Sequence, residues 1–290
     1  MKTPILATGL SGLVGTRVKE LLEDSFEFSD LSLETGVDIT NLEHVEERIQ
    51  NSTADVILHM AAKTDVDSCE DDKILGEEGA AWLVNVVGTE NIAESANKYG
   101  KRVIYISTDF VFDGTKEEYN EGDLPNPINW YAQTKYEGEN IINKSGTSST
   151  VLRIAYPYRA KFDGKRDFVR NILNKLGNYE TIFGITDHIF TPTFIDDIAV
   201  ALKVFLLKEL PGIYHVVGSQ SLTTYDAVRK IAEMWQLKAS IDKVDRATYF
   251  RDRAFRPRKL ALKNDKIAKL GIEMRPFDEG LKEVKGQMLQ

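Results

Sequence analysis

Short apolar runs alternate with longer amphipathic stretches through the first half of the chain. The runs Ile5–Ala7, Asp30–Leu33, Val56–His59, Val103–Ser107 and Thr150–Arg153 read as strands. Between them, about 13–24, 41–50, 75–98 and 130–143 carry apolar residues at helical spacing. Strand, helix, strand at this spacing implies parallel strands joined by right-handed crossovers, hence a doubly wound α/β sheet. Beyond residue 155 the regularity falls. Helices near 166–177, 196–208, 224–236 and 278–289 are separated by turns marked with Pro and Gly. The pattern divides the chain into a sheet domain over 1–155 and a smaller lobe over 156–290, some of whose segments return to the sheet. The lobe is expected over the carboxyl ends of the strands, where open α/β sheets bind ligands.

Composition narrows the field. The 290 residues are 42% hydrophobic and 28% charged, a globular balance that argues against disorder. With 37 Lys and Arg against 45 Asp and Glu, the net charge is −8, and no basic block stands out. Nucleic acid is therefore not an expected partner, since phosphate neutralisation needs clustered cations. Cys69 is the only cysteine, which excludes an intramolecular disulfide and a cysteine-based metal site. The apolar start Ile5-Leu6-Ala7 ends at Thr8-Gly9, with Arg17 and Lys19 where a signal peptide would stay hydrophobic. Ile198 to Leu207 contains Lys203 and is too short to span a bilayer. A soluble, cytoplasmic protein with no membrane partner is the expectation.

Directly behind the first strand stands Thr8-Gly9-Leu10-Ser11-Gly12-Leu13-Val14-Gly15. Glycines at 9, 12 and 15 permit a tight turn and close approach of backbone amides to a pyrophosphate at a helix N-terminus. Ser11, Leu13 and Val14 would line the same dinucleotide site. Asp38 either belongs to a capping cluster with Thr40 and Asn41 or meets an adenine amino group, with Ile39 on the ring. The run His59-Met60-Ala61-Ala62-Lys63 ends a buried strand in small residues that let a ligand reach the backbone. Ala61, Ala62 and Lys63 join the cofactor candidates on that ground.

Ser107-Thr108-Asp109 closes the fourth strand, so its hydroxyls emerge at the carboxyl end. Tyr131 and Lys135 follow on a helix, four residues apart and on one face. A lysine ammonium beside a phenol favours the phenolate and is expected to lower the tyrosine pKa. Such a tyrosine can exchange a proton with a carbonyl or alcohol oxygen that a strand-end hydroxyl holds.

These motifs together resemble the extended short-chain dehydrogenases, and within them the dTDP-4-dehydrorhamnose reductase branch. The similarity runs over nearly the whole chain. Its most specific part is Ser107-Thr108-Asp109-Phe110-Val111-Phe112-Asp113-Gly114, with Glu121 to Pro127 ahead of Tyr131. Asp187-His188-Ile189-Phe190-Thr191-Pro192-Thr193 and Arg256-Pro257 resemble the branch's substrate-lobe motifs. The resemblance implies a Rossmann domain, NADP or NAD as cofactor, and a nucleotide sugar as substrate. It implies Thr108, Tyr131 and Lys135 as catalytic residues, with Asn85 and Ser107 at the cofactor site. Thr108, Asp109, Phe110, Tyr156 and Arg256 are the implied sugar-nucleotide contacts, and a homodimer is compatible with it.

The departures carry information too. Tyr156 stands where the family often has Trp. Arg17 stands where members with a metal-bridged dimer carry Glu, so no metal is expected. His59 to Ala62 is closer to sugar-nucleotide epimerases than to the reductases' Asn-Ala-Ala. Phe110 replaces the glutamate that dehydrating relatives use, which argues against dehydration. The leading expectation is reduction of the C4 keto group of a nucleotide-linked 4-keto-6-deoxy sugar. Two alternatives remain, an epimerase that recycles NAD and a non-catalytic subunit like that of methionine adenosyltransferase, since the fold alone does not guarantee turnover. Glu34 would repel a 2′-phosphate and Thr35 could accept one, so NADP against NAD stays open. Arg256 is read either as a diphosphate ligand, a guanidinium matching phosphate oxygens in a fork, or as part of a surface salt bridge.

Overall fold

Side chains alternate between two buried faces along the central strands. Ile5 and Ala7 of β1 (Thr3–Thr8) pack on one side of the sheet, while Leu6 between them packs on the other. Ile104 and Ile106 of β4 (Arg102–Thr108) likewise oppose Val103 and Tyr105. Both faces being dry, these strands must be covered by helices on both sides. In the computed structural model, which describes residues 1–289, they are.

The sheet has six parallel strands. β2 is Phe26–Leu31, β3 Val56–His59 and β5 Ser149–Ile154; the sixth strand is Gly212–His215. From one edge the order is Gly212–His215, β5, β4, β3, β1, β2. The order reverses beside β1, and there the carboxyl ends open a crevice. One face is covered by α1 (Leu13–Leu22) and the helix Ile195–Leu207, the other by helices 42–50, 88–98 and 130–144. Residues 195–215 thus leave the lobe and complete the sheet.

Two expected elements move. The second strand lies at Phe26–Leu31, not Asp30–Leu33, because Ser32 opens a 3-10 turn over Leu33–Thr35 that ends at Gly36. β2 is an edge strand whose burial alternates with Glu27, Ser29 and Asp30, so no apolar run marks it. The helix expected at 75–98 is broken. Val66–Asp72 is helical, the chain kinks at Gly76 with φ of +54°, and helix resumes at Ala80 and runs to Lys98. A π-turn at Leu83–Val87 inserts one residue and carries Asn85 to a fully buried position.

The lobe has its own core, where Val169, Ile172, Phe190, Val228, Ile231 and Leu281 meet. Three two-stranded pairs order it: 182–185 with 241–244, 189–190 with 222–223, and 157–158 with 193–194. No helix among the described residues is long and apolar enough to cross a membrane.

Candidate active site

A cavity of about 970 Å³ lies between the carboxyl ends of β1, β3, β4 and β5 and the lobe. Its floor is the loop Gly9–Gly15, and here the glycines do different work. Gly9 adopts φ of +71°, and a Cβ there would sit 2.8 Å from the Ala61 amide nitrogen. A Cβ on Gly15 would collide with the Gly9 carbonyl. Gly12 is different: its added Cβ would meet only Gly9 O, at 3.3 Å. Gly9 and Gly15 shape the loop, whereas Gly12 keeps its cavity side bare. Gly12 is also the N-cap of α1, with no side-chain cap and no acid in the first turn, so free amides and the positive helix end face the cavity. Ser11, Leu13 and Val14 line the same floor. The residues present fit a dinucleotide pyrophosphate.

Thr8 anchors this floor. Its hydroxyl oxygen accepts from Met60 N at 3.1 Å and Ala61 N at 2.9 Å, so its proton goes to His59 Nδ1 at 2.7 Å. His59 Nε2 then donates to Thr89, 3.0 Å away, whose hydroxyl donates to Asn85 O at 2.7 Å. Burial pushes the His59 pKa down to about 3, which keeps the ring neutral. Asn85 bonds Lys63 N and O at 2.8 and 3.0 Å and Thr134 Oγ1 at 2.9 Å, tying the strand end to the helix that carries Tyr131. Ala61 and Ala62 line the cavity, whereas Asp38, Ile39, Lys63 and Asn85 are not among its lining residues. Lys63 turns to Asp72. Asp38 accepts from Thr40 N and Oγ1 at 2.9 and 2.8 Å, as a turn-forming residue does, while Asn41 caps the following helix. Ile39 packs beneath Gly88, and its carbonyl takes the Asn91 amide.

β4 delivers the polar group of the site. Thr108 and Asp109 line the cavity, and Thr108 Oγ1 donates to Asp109 Oδ1 at 3.1 Å. Asp109 Oδ2 is buried without a partner, and burial raises this carboxyl to about 7. Ser107 gives its proton to Glu139 Oε1 at 2.5 Å, and Arg153 donates to both oxygens of that carboxylate, to Oε1 at 2.9 Å and to Oε2 at 2.7 Å. That ion pair is 1% exposed on both sides and fastens β5 to the Tyr131 helix.

Tyr131 and Lys135 both line the cavity. Lys135 Nζ donates to Ile106 O at 2.8 Å and lies 4.1 Å from the Tyr105 ring centroid. Burial lowers its pKa to about 7, with Glu139 opposing. The expected lowering of the Tyr131 pKa by Lys135 is not what the structure gives. Burial pushes the phenol above its ordinary value and Asp109 adds to the rise, with the Thr108 hydroxyl pulling the other way. A lysine that burial has itself brought near neutrality, hydrogen-bonded to a carbonyl, exerts little pull on the phenol.

Aromatic rings enclose the rest. Phe110 stands 6.0 Å from Tyr131 and 6.1 Å from Tyr156. Tyr156 adopts φ of +40°, a strained value for a tyrosine, and packs 4.5 Å from Phe190. His188, held to Thr224 Oγ1 at 3.0 Å, presents Nε2 3.5 Å from the Tyr156 hydroxyl. Arg256 is not on the surface. It is 9% exposed, lines the cavity, stacks 5.1 Å over Phe250, and pairs with Asp67. Lys165, Arg166, Phe168, Phe250 and Arg253 also line the cavity, and sequence reasoning missed them. Lys165, Arg166, Phe250 and Arg253 come from lobe loops without spacing signals, and Phe168 opens the helix Phe168–Gly177; His188 and Phe190, which also line the cavity, lay in a motif that drew attention.

A family model, the RmlD substrate binding domain, matches residues 1–289. The chain belongs to that family. The match covers sheet and lobe alike, and the resemblance to the dTDP-4-dehydrorhamnose reductase branch of the short-chain dehydrogenases stands. Among relatives of this RmlD-family chain, dTDP-4-dehydrorhamnose reductase of Aggregatibacter actinomycetemcomitans is 30% identical over 97% of this chain and 98% of its own. Methionine adenosyltransferase 2 subunit beta of Xenopus tropicalis is also 30% identical, over 96% of this chain and 86% of its own. The crystal structure of dTDP-4-dehydrorhamnose reductase from Bacillus anthracis in complex with NADP superposes with a TM-score of 0.90 at 28% identity, covering 99% of this chain and 100% of that one.

Proposed function

We propose that this chain is an NADPH- or NADH-dependent reductase of the C4 keto group of a nucleotide-linked 4-keto-6-deoxy sugar, with dTDP-4-dehydrorhamnose as the leading substrate. The reading is carried by one observation: a bare glycine floor suited to pyrophosphate and the group Thr108, Asp109 and Tyr131 share one cavity. The reductase relatives, one of them solved with NADP, support it. A cytoplasmic, homodimeric enzyme without nucleic-acid partners belongs to the same reading.

Gly9 to Gly15 would hold the cofactor's pyrophosphate against the α1 amides, and Lys135 its nicotinamide ribose. Bound there, the cofactor supplies the hydride for carbonyl reduction. Thr108 turns its one hydroxyl proton from Asp109 to the keto oxygen, where negative charge develops as the carbonyl is reduced. Tyr131 gives that oxygen its proton. The raised phenol pKa keeps this proton in place at neutral pH, the correct starting state for a donor. Tyr156 and Phe110 pack against the sugar ring, and Arg256 receives the diphosphate through its free guanidinium edge.

The test offers the purified protein dTDP-4-dehydrorhamnose with NADPH or NADH and follows products by mass. Equimolar loss of reduced cofactor and ketone is expected. Sugar inversion without net cofactor consumption would instead indicate an epimerase. The similarity to methionine adenosyltransferase 2 subunit beta favours a second reading, a binding subunit. Absence of turnover across a panel of keto sugars, with copurification of another enzyme, would establish it over the first.

A further inference from the structure

Arg256 reaches the cavity from the lobe, but what fixes it comes from the sheet domain. Asp67, in the first turn of the helix Val66–Asp72, pairs with Arg256 Nη1 through Oδ1. The same Oδ1 accepts the backbone amide of Ala254 at 3.0 Å. One carboxylate oxygen thus gathers both the turn before Arg256 and its guanidinium. Nη1 also donates to Ala254 O, whereas Nε and Nη2 have no hydrogen-bond partner among the described residues. Phe250 supports the guanidinium plane from 5.1 Å. Arg246 bonds the Arg256 carbonyl at 2.7 Å, and Arg253 lies close enough to act on Asp67. Those two neighbouring cations would repel a third that had lost its counter-ion.

We propose that Asp67 is a positioning residue: it holds Arg256 by one nitrogen so that the remaining edge, Nε and Nη2, is aimed at the diphosphate of a nucleotide sugar. This rests on the reading above that Arg256 receives phosphate. Such a guanidinium needs one anchoring anion outside the ligand site, because an unanchored, rotamer-rich arginine must be ordered at the expense of binding. Asp67 meets that need from the opposite wall, so it takes part in substrate recognition although it is not itself among the residues lining the cavity, as its helix neighbour Val66 is.

Calorimetry with dTDP and with thymidine on Asp67→Asn, Asp67→Glu and Arg256→Met tests this, with NADPH affinity as a check on folding. Asp67→Asn is expected to weaken dTDP binding by about tenfold, the scale of one charge-assisted hydrogen bond. Thymidine and NADPH binding should hold within about twofold, as neither uses Arg256. Asp67→Glu should recover part of the loss, and Asp67→Asn should add nothing in the Arg256→Met background. Unchanged or tighter dTDP binding in Asp67→Asn, with the loss retained in Arg256→Met, overturns the role of Asp67 alone. Unchanged dTDP binding in Arg256→Met overturns the phosphate reading of Arg256 itself. Equal loss of dTDP, thymidine and NADPH in both Asp67 variants would reduce Asp67 to a structural strut and overturn the proposal.

Discussion

The ring of Phe110 stands edge-on to that of Tyr131, with centroids 6.0 Å apart and 71° between the planes. A second ring, Tyr156, has its centroid 6.1 Å from that of Phe110. The apolar ring of Phe110 cannot deliver or remove a proton, so this position, next to Thr108 and Asp109, offers no acid–base group for eliminating water. The protein is therefore expected to reduce dTDP-4-dehydrorhamnose but to leave dTDP-glucose unchanged. Product mass separates the outcomes; loss of water from dTDP-glucose would refute this account of Phe110.

Tyr131 is 9% exposed and its ring is packed against Phe110, so removing only its hydroxyl leaves the wall standing. Tyr131→Phe is expected to abolish turnover while NADPH affinity stays within a few-fold, because the phenol acts on the developing alkoxide and not on ground-state binding. Single-turnover kinetics beside fluorescence titration checks both halves. Near-normal turnover would remove Tyr131 from the mechanism.

Thr108 has a smaller share. The Phe110 amide, 3.2 Å away, fixes its oxygen at the strand end, and its one proton, given to Asp109 in the free protein, turns to the substrate. Thr108→Ala should slow reduction by about 10²-fold, the order seen when one donor to a developing oxyanion is lost. A change confined to KM would show that Thr108 only binds.

The glycine loop allows a contrast between two neighbouring positions. Gly12→Val should fold, since its Cβ meets a single atom at 3.3 Å, yet it fills the space the pyrophosphate requires. Gly15→Ala drives a methyl into the Gly9 carbonyl and should lower stability by about 1–3 kcal/mol through overpacking. Thermal melts and calorimetric NADPH binding measure the two effects separately. Wild-type cofactor affinity in folded Gly12→Val would mean that the loop does not hold the cofactor.

Legibility followed physics. β1, β3, β4 and β5 were readable because strands buried on both faces are continuous apolar runs, and Thr108, Tyr131 and Lys135 because strand end and helix spacing fix where they emerge. β2 was misplaced because an edge strand tolerates Glu27 and Ser29. The lobe's contribution to the site was mostly hidden. Lys165, Arg253 and Phe250 reach the cavity from loops whose course depends on tertiary contacts, among them the Asp67 bond to the Ala254 amide. The direction of the Tyr131 shift could not be read either. Spacing placed Lys135 beside it, but burial of both groups, which spacing does not report, decides the sign.

Burial also sets how the fold should respond to acid. His59, His188 and His215 have pKa values pushed down to about 3, 4 and 3 from the ordinary 6.5, each chiefly by burial. A group whose folded pKa is depressed contributes stability that is complete above its unfolded value and is lost as pH falls through the folded one. Asp109 works oppositely: raised to about 7 from 3.8, it stabilises at low pH and loses that contribution as pH rises through about 7. Burial raises the Asp197 carboxyl as well, but between pH 6.5 and about 4 the three histidines outweigh these two aspartates, and stability should decline with acidification. Urea midpoints at constant ionic strength should fall across that window. His188→Gln should flatten the slope by one proton's worth, since an amide keeps a partner for Thr224 without titrating. A midpoint that stays level from pH 6.5 to 4 would mean that these imidazoles are not held neutral by the fold.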